Sequence, residues 1–188
     1  MEPGNGNRQN LILLMIGAGL ILMAVAAFLT VPKAQQNLQT AEIVVAPVAV
    51  NFPAPDIRLT DLEDRPVAFS DYKGQVILYN AWATWCLPCK EEMPTLEAYY
   101  QAHKQDGFVV IAIEDGQSVT EVLSYIKNDH LTFPVWPDLK WIASQKFRIN
   151  YLPTSYVIDR GGAVRLMFSG AVRRDVLEQY VTPLLKEE

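Results

Sequence analysis

The sequence predicts an α/β fold, a mixed central sheet flanked by helices, and three observations carry that expectation. Two apolar runs of strand length, "QVILYNAW" at 75–82 and "FVVIAI" at 108–113, are separated by a stretch of helical period, which makes a βαβ unit with parallel strands. Two later strand patterns in "TSYVIDRGGAVRLMFSG" meet at an Asp-Arg-Gly-Gly turn and read as an antiparallel hairpin. The chain closes on a helical pattern, "RRDVLEQYVTPLLKEE".

At 188 residues the chain has room for one domain with a full core and an accessory segment. A formal net charge of −5 supplies no basic field for nucleic acid, which is set aside as a partner. Two cysteines in a chain that is 50% hydrophobic do not make a disulfide scaffold, so folding rests on an ordinary core and the cysteines are left for chemistry.

A short tail, 1–10, precedes "LILLMIGAGLILMAVAAFLTV" at 11–31, where no charge falls between Arg8 and Lys33. That length suits a single helix crossing a hydrocarbon core of about 30 Å and contacting membrane lipid. A cleaved signal peptide is the rival, although its apolar stretch is usually shorter and lies behind a more charged start. Either reading exports the C-terminal domain, which is therefore expected on the extracytoplasmic side of the cell membrane. Residues 32–55, with three prolines after Ala46 and no helical period, read as a linker.

The domain is expected at 56–188. "IRLTDLEDRPVAF", 57–69, alternates around an acidic turn and predicts a hairpin. "QVILYNAW" predicts a buried central strand. From Lys90 to His103 the apolar residues Met93, Leu96, Tyr99 and Tyr100 recur on one helical face. "FVVIAI" is the second buried strand, followed by helices near Val119–Asn128 and Trp141–Phe147. Pro183 bends or ends the last helix.

Both cysteines lie in "Cys86-Leu-Pro-Cys89", where the central strand gives way to a helix. Unpaired amide hydrogens and the helix dipole at that place favour an anion, lowering a thiol's pKa and making Cys86 the expected nucleophile. Cys89, one turn along, can resolve a mixed disulfide. Pro88 suits the first turn, where a missing N–H costs little. Two other chemistries share the spacing. A closed zinc site needs four ligands, and neither a second CxxC nor a histidine at ligand spacing is present, His103 and His130 being the only histidines. A purely structural disulfide would close too short a loop to constrain the unfolded chain much.

"YNAWATWCLPCKEEMP" together with "YLPTSYVIDRGGAV" resembles the thioredoxin superfamily and, within it, the membrane-anchored TlpA and ResA-like thiol-disulfide oxidoreductases, over about residues 52–186. The resemblance implies a thioredoxin fold of βαβ and ββα units, with an N-terminal β-hairpin and a central insertion at about 116–140. It also implies that Pro153 is a cis-proline opposite the cysteines, and that Leu152 and Thr154 beside it offer backbone to a bound substrate strand. An ordinary strand-entry proline is the alternative. Where thioredoxin carries a buried Asp, this chain has Asn80, which cannot take a proton from Cys89. In the ResA-like group a Glu in the first helix serves, and the matching residue is Glu92, three after Cys89 and so on its helical face. Burial would raise its pKa toward that of a useful base, whereas Glu91 and Glu92 as a solvated first turn is the plainer alternative.

Trp82 reads as core. Trp85, beside the thiol, reads as docking surface or as packing, and Trp136 and Trp141 read as core or partner-facing. The implied activity is reduction of protein disulfides, needing no cofactor and no metal. The kinship further implies apocytochrome c as substrate and a membrane thiol donor of the CcdA or DsbD kind. A peroxiredoxin-like peroxidase and a copper chaperone of the Sco kind are the other functions compatible with the fold. The first expects Thr three residues before its cysteine, where Thr84 is two before Cys86, and the second a CxxxC with a distal histidine.

Overall fold

A computed structural model of the chain describes residues 13–23, 25 and 46–187, and the chain divides into two units, Met1–Ile43 and Val44–Glu188. In the first unit residues 13–23 are helical, and their large apolar side chains, Leu13, Leu14, Leu20, Ile21 and Leu22 among them, are exposed. Among the described residues no helix is long and apolar enough to cross a membrane. The tail expected at 1–10, the rest of the span expected at 11–31 apart from Val25, and the linker up to residue 45 lie outside the described residues.

In the second unit the strands are β1 (Val48–Pro53), β2 (Arg58–Thr60), β3 (Pro66–Ala68), β4 (Val76–Trp82), β5 (Phe108–Glu114), β6 (Val135–Pro137), β7 (Thr154–Ile158) and β8 (Ala163–Ser169). The helices are α1 (Leu87–His103), α2 (Val119–Asp129), α3 (Ile142–Lys146), α4 (Arg174–Tyr180) and α5 (Thr182–Leu185), with single 3-10 turns at Phe69–Tyr72 and Lys104–Asp106. A mixed sheet runs β1-β8-β7-β4-β5-β6, and β2 pairs with β3 alone. β4 is parallel to β5 and antiparallel to β7, so the expected βαβ unit and terminal hairpin share one sheet. This is the thioredoxin-like α/β architecture.

Alternation along the central strands divides the core. Val76, Leu78 and Trp82 of β4 join Met93, Leu96 and Tyr99 of α1, Val122 of α2 and Leu177 of α4 on one face. Ile77, Tyr79 and Ala81 join Trp136, Ala143 and Phe147, and Ile57 and Phe69 at the two ends of the small hairpin, on the other. β4 and β5 are buried at every residue, as expected of parallel strands covered on both sides. In the β7–β8 turn Gly162 takes φ +86°, and Asp159 Oδ1 accepts the Ala163 N–H at 2.9 Å.

Two elements depart from the reading of the sequence. The linker expected at 32–55 includes β1, which pairs antiparallel with β8 at the sheet edge, with a register shift between Ala49 and Phe52. Its prolines suggested a coil, yet an edge strand leaves one side of its backbone unpaired and so tolerates proline. The region expected as an insertion, 116–140, contributes β6, a three-residue edge strand parallel to β5. Its length, with Pro134 just before it and Pro137 as its last residue, hides it from periodicity. The last helix breaks at Val181, and Pro183 sits in the first turn of α5, where it has no donor to lose.

Candidate active site

β4 delivers the chain to the cysteines. After Trp82 it turns through Ala83–Trp85, and the Cys86 N–H donates to Ala83 O at 3.1 Å. Cys86 is the N-cap of α1, its sulfur accepting the Cys89 N–H at 3.3 Å, so a thiolate there would face the positive end of a 17-residue helix. Pro88 is exposed at the second helical position. The helix starts at Leu87, three residues ahead of the Lys90 start that the apolar period suggested, because Cys86 and Pro88 supply an N-terminus that periodicity does not register. Cys86 and Cys89 form a disulfide. Cys86 is 5% exposed and Cys89 fully buried, while Trp85 and Leu87 on either side of Cys86 are 69% and 66% exposed.

Glu92 faces inward, only 2% exposed, and Glu91 is exposed. Both oxygens of Glu92 are engaged: Oε1 accepts Asn80 Nδ2 at 2.8 Å and Oε2 accepts the Val172 N–H at 2.8 Å. Asn80 Nδ2 also donates to Ser155 Oγ at 2.9 Å. The two donors to Glu92 favour its charged form, but both are neutral and the group is out of water. Burial wins, pushing the carboxyl up to about 7 from its ordinary 4.5. The exposed-turn reading of Glu92 does not hold. Asn80, noted in the sequence for what it could not do, is the side chain that holds Glu92 in place.

The Leu152–Pro153 peptide is cis. Pro153 is buried, and its carbonyl accepts the Gly170 N–H at 2.9 Å. Thr154 begins β7 opposite Ala81 of β4, which brings this segment to the same sheet end as the cysteines, and its Oγ1 donates to Tyr151 O at 2.9 Å. Leu152 is half-buried and packs against both halves of the core. Trp82 and Trp136 are core, whereas Trp141 is half-exposed.

One group escaped the sequence reading. Glu114 ends β5 fully buried, its Oε2 accepting the Gln117 N–H at 2.8 Å and its Oε1 without a partner. Burial pushes it up to about 7 as well. The signal was present as an acid closing an otherwise apolar strand, "FVVIAIE". Beyond it, Gln117 Oε1 accepts both the Thr84 N–H, at 2.9 Å, and the Thr84 hydroxyl, so this loop fastens the turn that leads to Cys86. Among the described residues no three His, Cys, Asp or Glu side chains converge as metal ligands.

Residues 50–167 match the AhpC/TSA family. The chain is 33% identical over 134 residues to a thiol-disulfide oxidoreductase ResA of Geobacillus kaustophilus (strain HTA426), covering 71% of this chain and 77% of that one. It is 34% identical over 128 residues to a ResA of Bacillus thuringiensis subsp. konkukian (strain 97-27), covering 68% and 74%. Among solved structures, a thiol:disulfide interchange protein of the thioredoxin family from Chlorobium tepidum TLS superposes with a TM-score of 0.66 at 26% identity, covering 73% of this chain and 99% of that one.

Proposed function

The chain belongs to the AhpC/TSA family and is a thiol-disulfide oxidoreductase, and on that basis we propose that it reduces protein disulfides outside the cytoplasmic membrane, with Cys86 as nucleophile, Cys89 as resolving thiol and Glu92 as the base. The observation that carries this reading is a buried carboxyl, held by Asn80 and Val172, one helical turn beyond the buried cysteine of the pair.

In the reduced protein the Cys86 thiolate attacks a partner disulfide, forming a mixed disulfide and releasing one partner thiolate. Cys89 has no access to water, so its proton must pass to a neighbouring group before its sulfur can attack. Glu92 takes that proton, the Cys89 thiolate attacks Cys86 Sγ, and the second partner thiolate leaves. The Cys86–Cys89 disulfide remains, two electrons having passed to the partner. Neutral Glu92 beside the disulfide matches its displacement toward 7, and return of the proton accompanies reduction of the pair by the next donor. Pro153, with Leu152 and Thr154, offers the backbone edge for the partner strand, and Trp85 and Pro88 lie against it.

The exposed apolar side chains at 13–23 support an anchor at 11–31 that holds the domain at the extracytoplasmic surface. Kinship supports apocytochrome c as the disulfide partner and a membrane thiol transporter of the CcdA or DsbD kind as the source of electrons. Equilibration of Cys86/Cys89 with dithiothreitol tests the direction. A reduction potential near that of thioredoxin, about −270 mV, is expected, and one near that of the oxidant DsbA, about −120 mV, would refute a reductase.

A further inference from the structure

Trp141 combines features that its place in the fold does not require. It adopts φ +56° and ψ 32° at the N-cap of α3, a left-handed conformation that a bulky side chain occupies at a steric cost and glycine occupies freely. It performs no capping in return, since its side chain makes no cap hydrogen bond. Asp138 does so instead, its Oδ1 and Oδ2 accepting the Ile142 and Ala143 N–H groups at 2.8 and 2.7 Å. Nor is the indole core, being 51% exposed. Strained residues of this kind concentrate where the side chain they present is used.

The contacts of the indole lead to the chain segment just before Cys86. Its ring lies over Gly116, where a Cβ would come within 2.9 Å of it. Asp115 N–H donates to Trp82 O at 2.9 Å, and Gln117 Oε1 accepts the Thr84 N–H at 2.9 Å. The loop under Trp141 is thus hydrogen-bonded, on one side of Gly116 to the end of β4 and on the other to the turn that leads to Cys86. Trp85 and Leu87 flank Cys86 and are themselves exposed. A partner whose disulfide reaches Cys86 Sγ must lie against these side chains.

We propose that Trp141 is a docking residue that extends the apolar rim of Trp85 and Leu87 around Cys86 and grips an aliphatic or aromatic side chain flanking the cysteine of a disulfide-bearing polypeptide. The inference rests on the dithiol reading above and adds a specificity to it. A large amphipathic ring with few rotatable bonds suits such a contact, and removing it changes recognition without changing the chemistry of the sulfurs.

The test compares the reduced full chain with its Trp141→Gly and Trp141→Phe variants. Three probes are used: a synthetic disulfide peptide with leucine on both sides of one cysteine, the same peptide with serine there, and hydroxyethyl disulfide. Trp141→Gly should react with the leucine peptide roughly tenfold more slowly, the loss of one contributing interface side chain. Its rates with the serine peptide and hydroxyethyl disulfide, and its reduction potential, should be unchanged, and Trp141→Phe should recover most of the loss. Unchanged rates with the leucine peptide would overturn the proposal. So would a lower melting temperature together with slowing toward hydroxyethyl disulfide, which would make Trp141 a structural residue. A wild-type protein that fails to react with hydroxyethyl disulfide would remove the dithiol reading and this inference together.

Discussion

Glu92→Gln keeps the length and shape of the side chain and removes its titration. In the folded, oxidised protein the carboxyl is pushed up to about 7, against 4.5 for the unperturbed group. At about 1.4 kcal/mol for each tenfold change in proton affinity, the difference is worth ~3 kcal/mol. The folded state holds this proton more tightly than the unfolded chain does. The stabilisation is therefore complete below about pH 4.5 and is lost as the pH rises through about 7. Glutamine brings only one oxygen to two donors, Asn80 Nδ2 and the Val172 N–H, which are both occupied in the native protein. One buried donor is left unpaired, at a cost of about 1–3 kcal/mol. The variant should thus be less stable than wild type in acid and equal or better above about pH 8, a crossing that a simple packing defect would not produce. Urea unfolding of both oxidised proteins across this range measures it. Glu114 titrates in the same window in both proteins, so its contribution cancels in the difference. In the mixed disulfide the wild-type resolving step should quicken as the pH rises and Glu92 ionises, while the variant is slower by about a hundredfold and lacks that rise. Parallel stability curves, or an unchanged pH profile of the resolving step, would refute the assignment of Glu92 as the buried base.

Two more variants have expected outcomes. Cys89→Ser should leave Cys86 able to attack but not to be released, so that the protein accumulates a mixed disulfide with a peptide disulfide, visible by non-reducing electrophoresis. It should consume hydrogen peroxide no faster than a free thiol, and faster consumption would favour the peroxidase branch of the family. Arg160 donates from its guanidinium to the carbonyls of Gly74, Asp106, Leu185 and Glu187, at 2.8 to 3.2 Å, tying the C-terminal residues to two loops. Arg160→Ala should lower stability by about 2 kcal/mol in urea, with the reduction potential of the cysteines unchanged.

Much of the fold could be read because its elements announce themselves locally. Seven-residue strands buried on both faces are near-continuous apolar runs, and β4 and β5 appear in the sequence as such. The Asp-Arg-Gly-Gly turn marks its hairpin through the left-handed Gly162. The elements that escaped, β1 and β6, are edge strands that end in proline and whose existence depends on a partner already in place, β8 for one and β5 for the other. The three-residue β6 has no period of its own, whereas β2 and β3, equally short, are legible as a pair around their acidic turn.

The same division runs through the site. The cysteine pair and its place at a strand-to-helix junction are legible from residues alone, because they depend on neighbours within a few positions, and so is the helical face that Glu92 shares with Cys89. What Glu92 is chemically depends on the folded chain. Its donors come from β4, twelve residues earlier, and from Val172, eighty residues later, and it is their closure over the carboxyl that excludes water and moves its proton affinity. Trp141 and Glu114 belong to the same class. Nothing within a few residues of Trp141 indicates that it rests on the loop fastened to the cysteine turn, and an acid closing an apolar run marks Glu114 without showing that the fold seals it from solvent. Local periodicity records which residues form an element, whereas burial and partnership arise when elements distant in sequence close on one another.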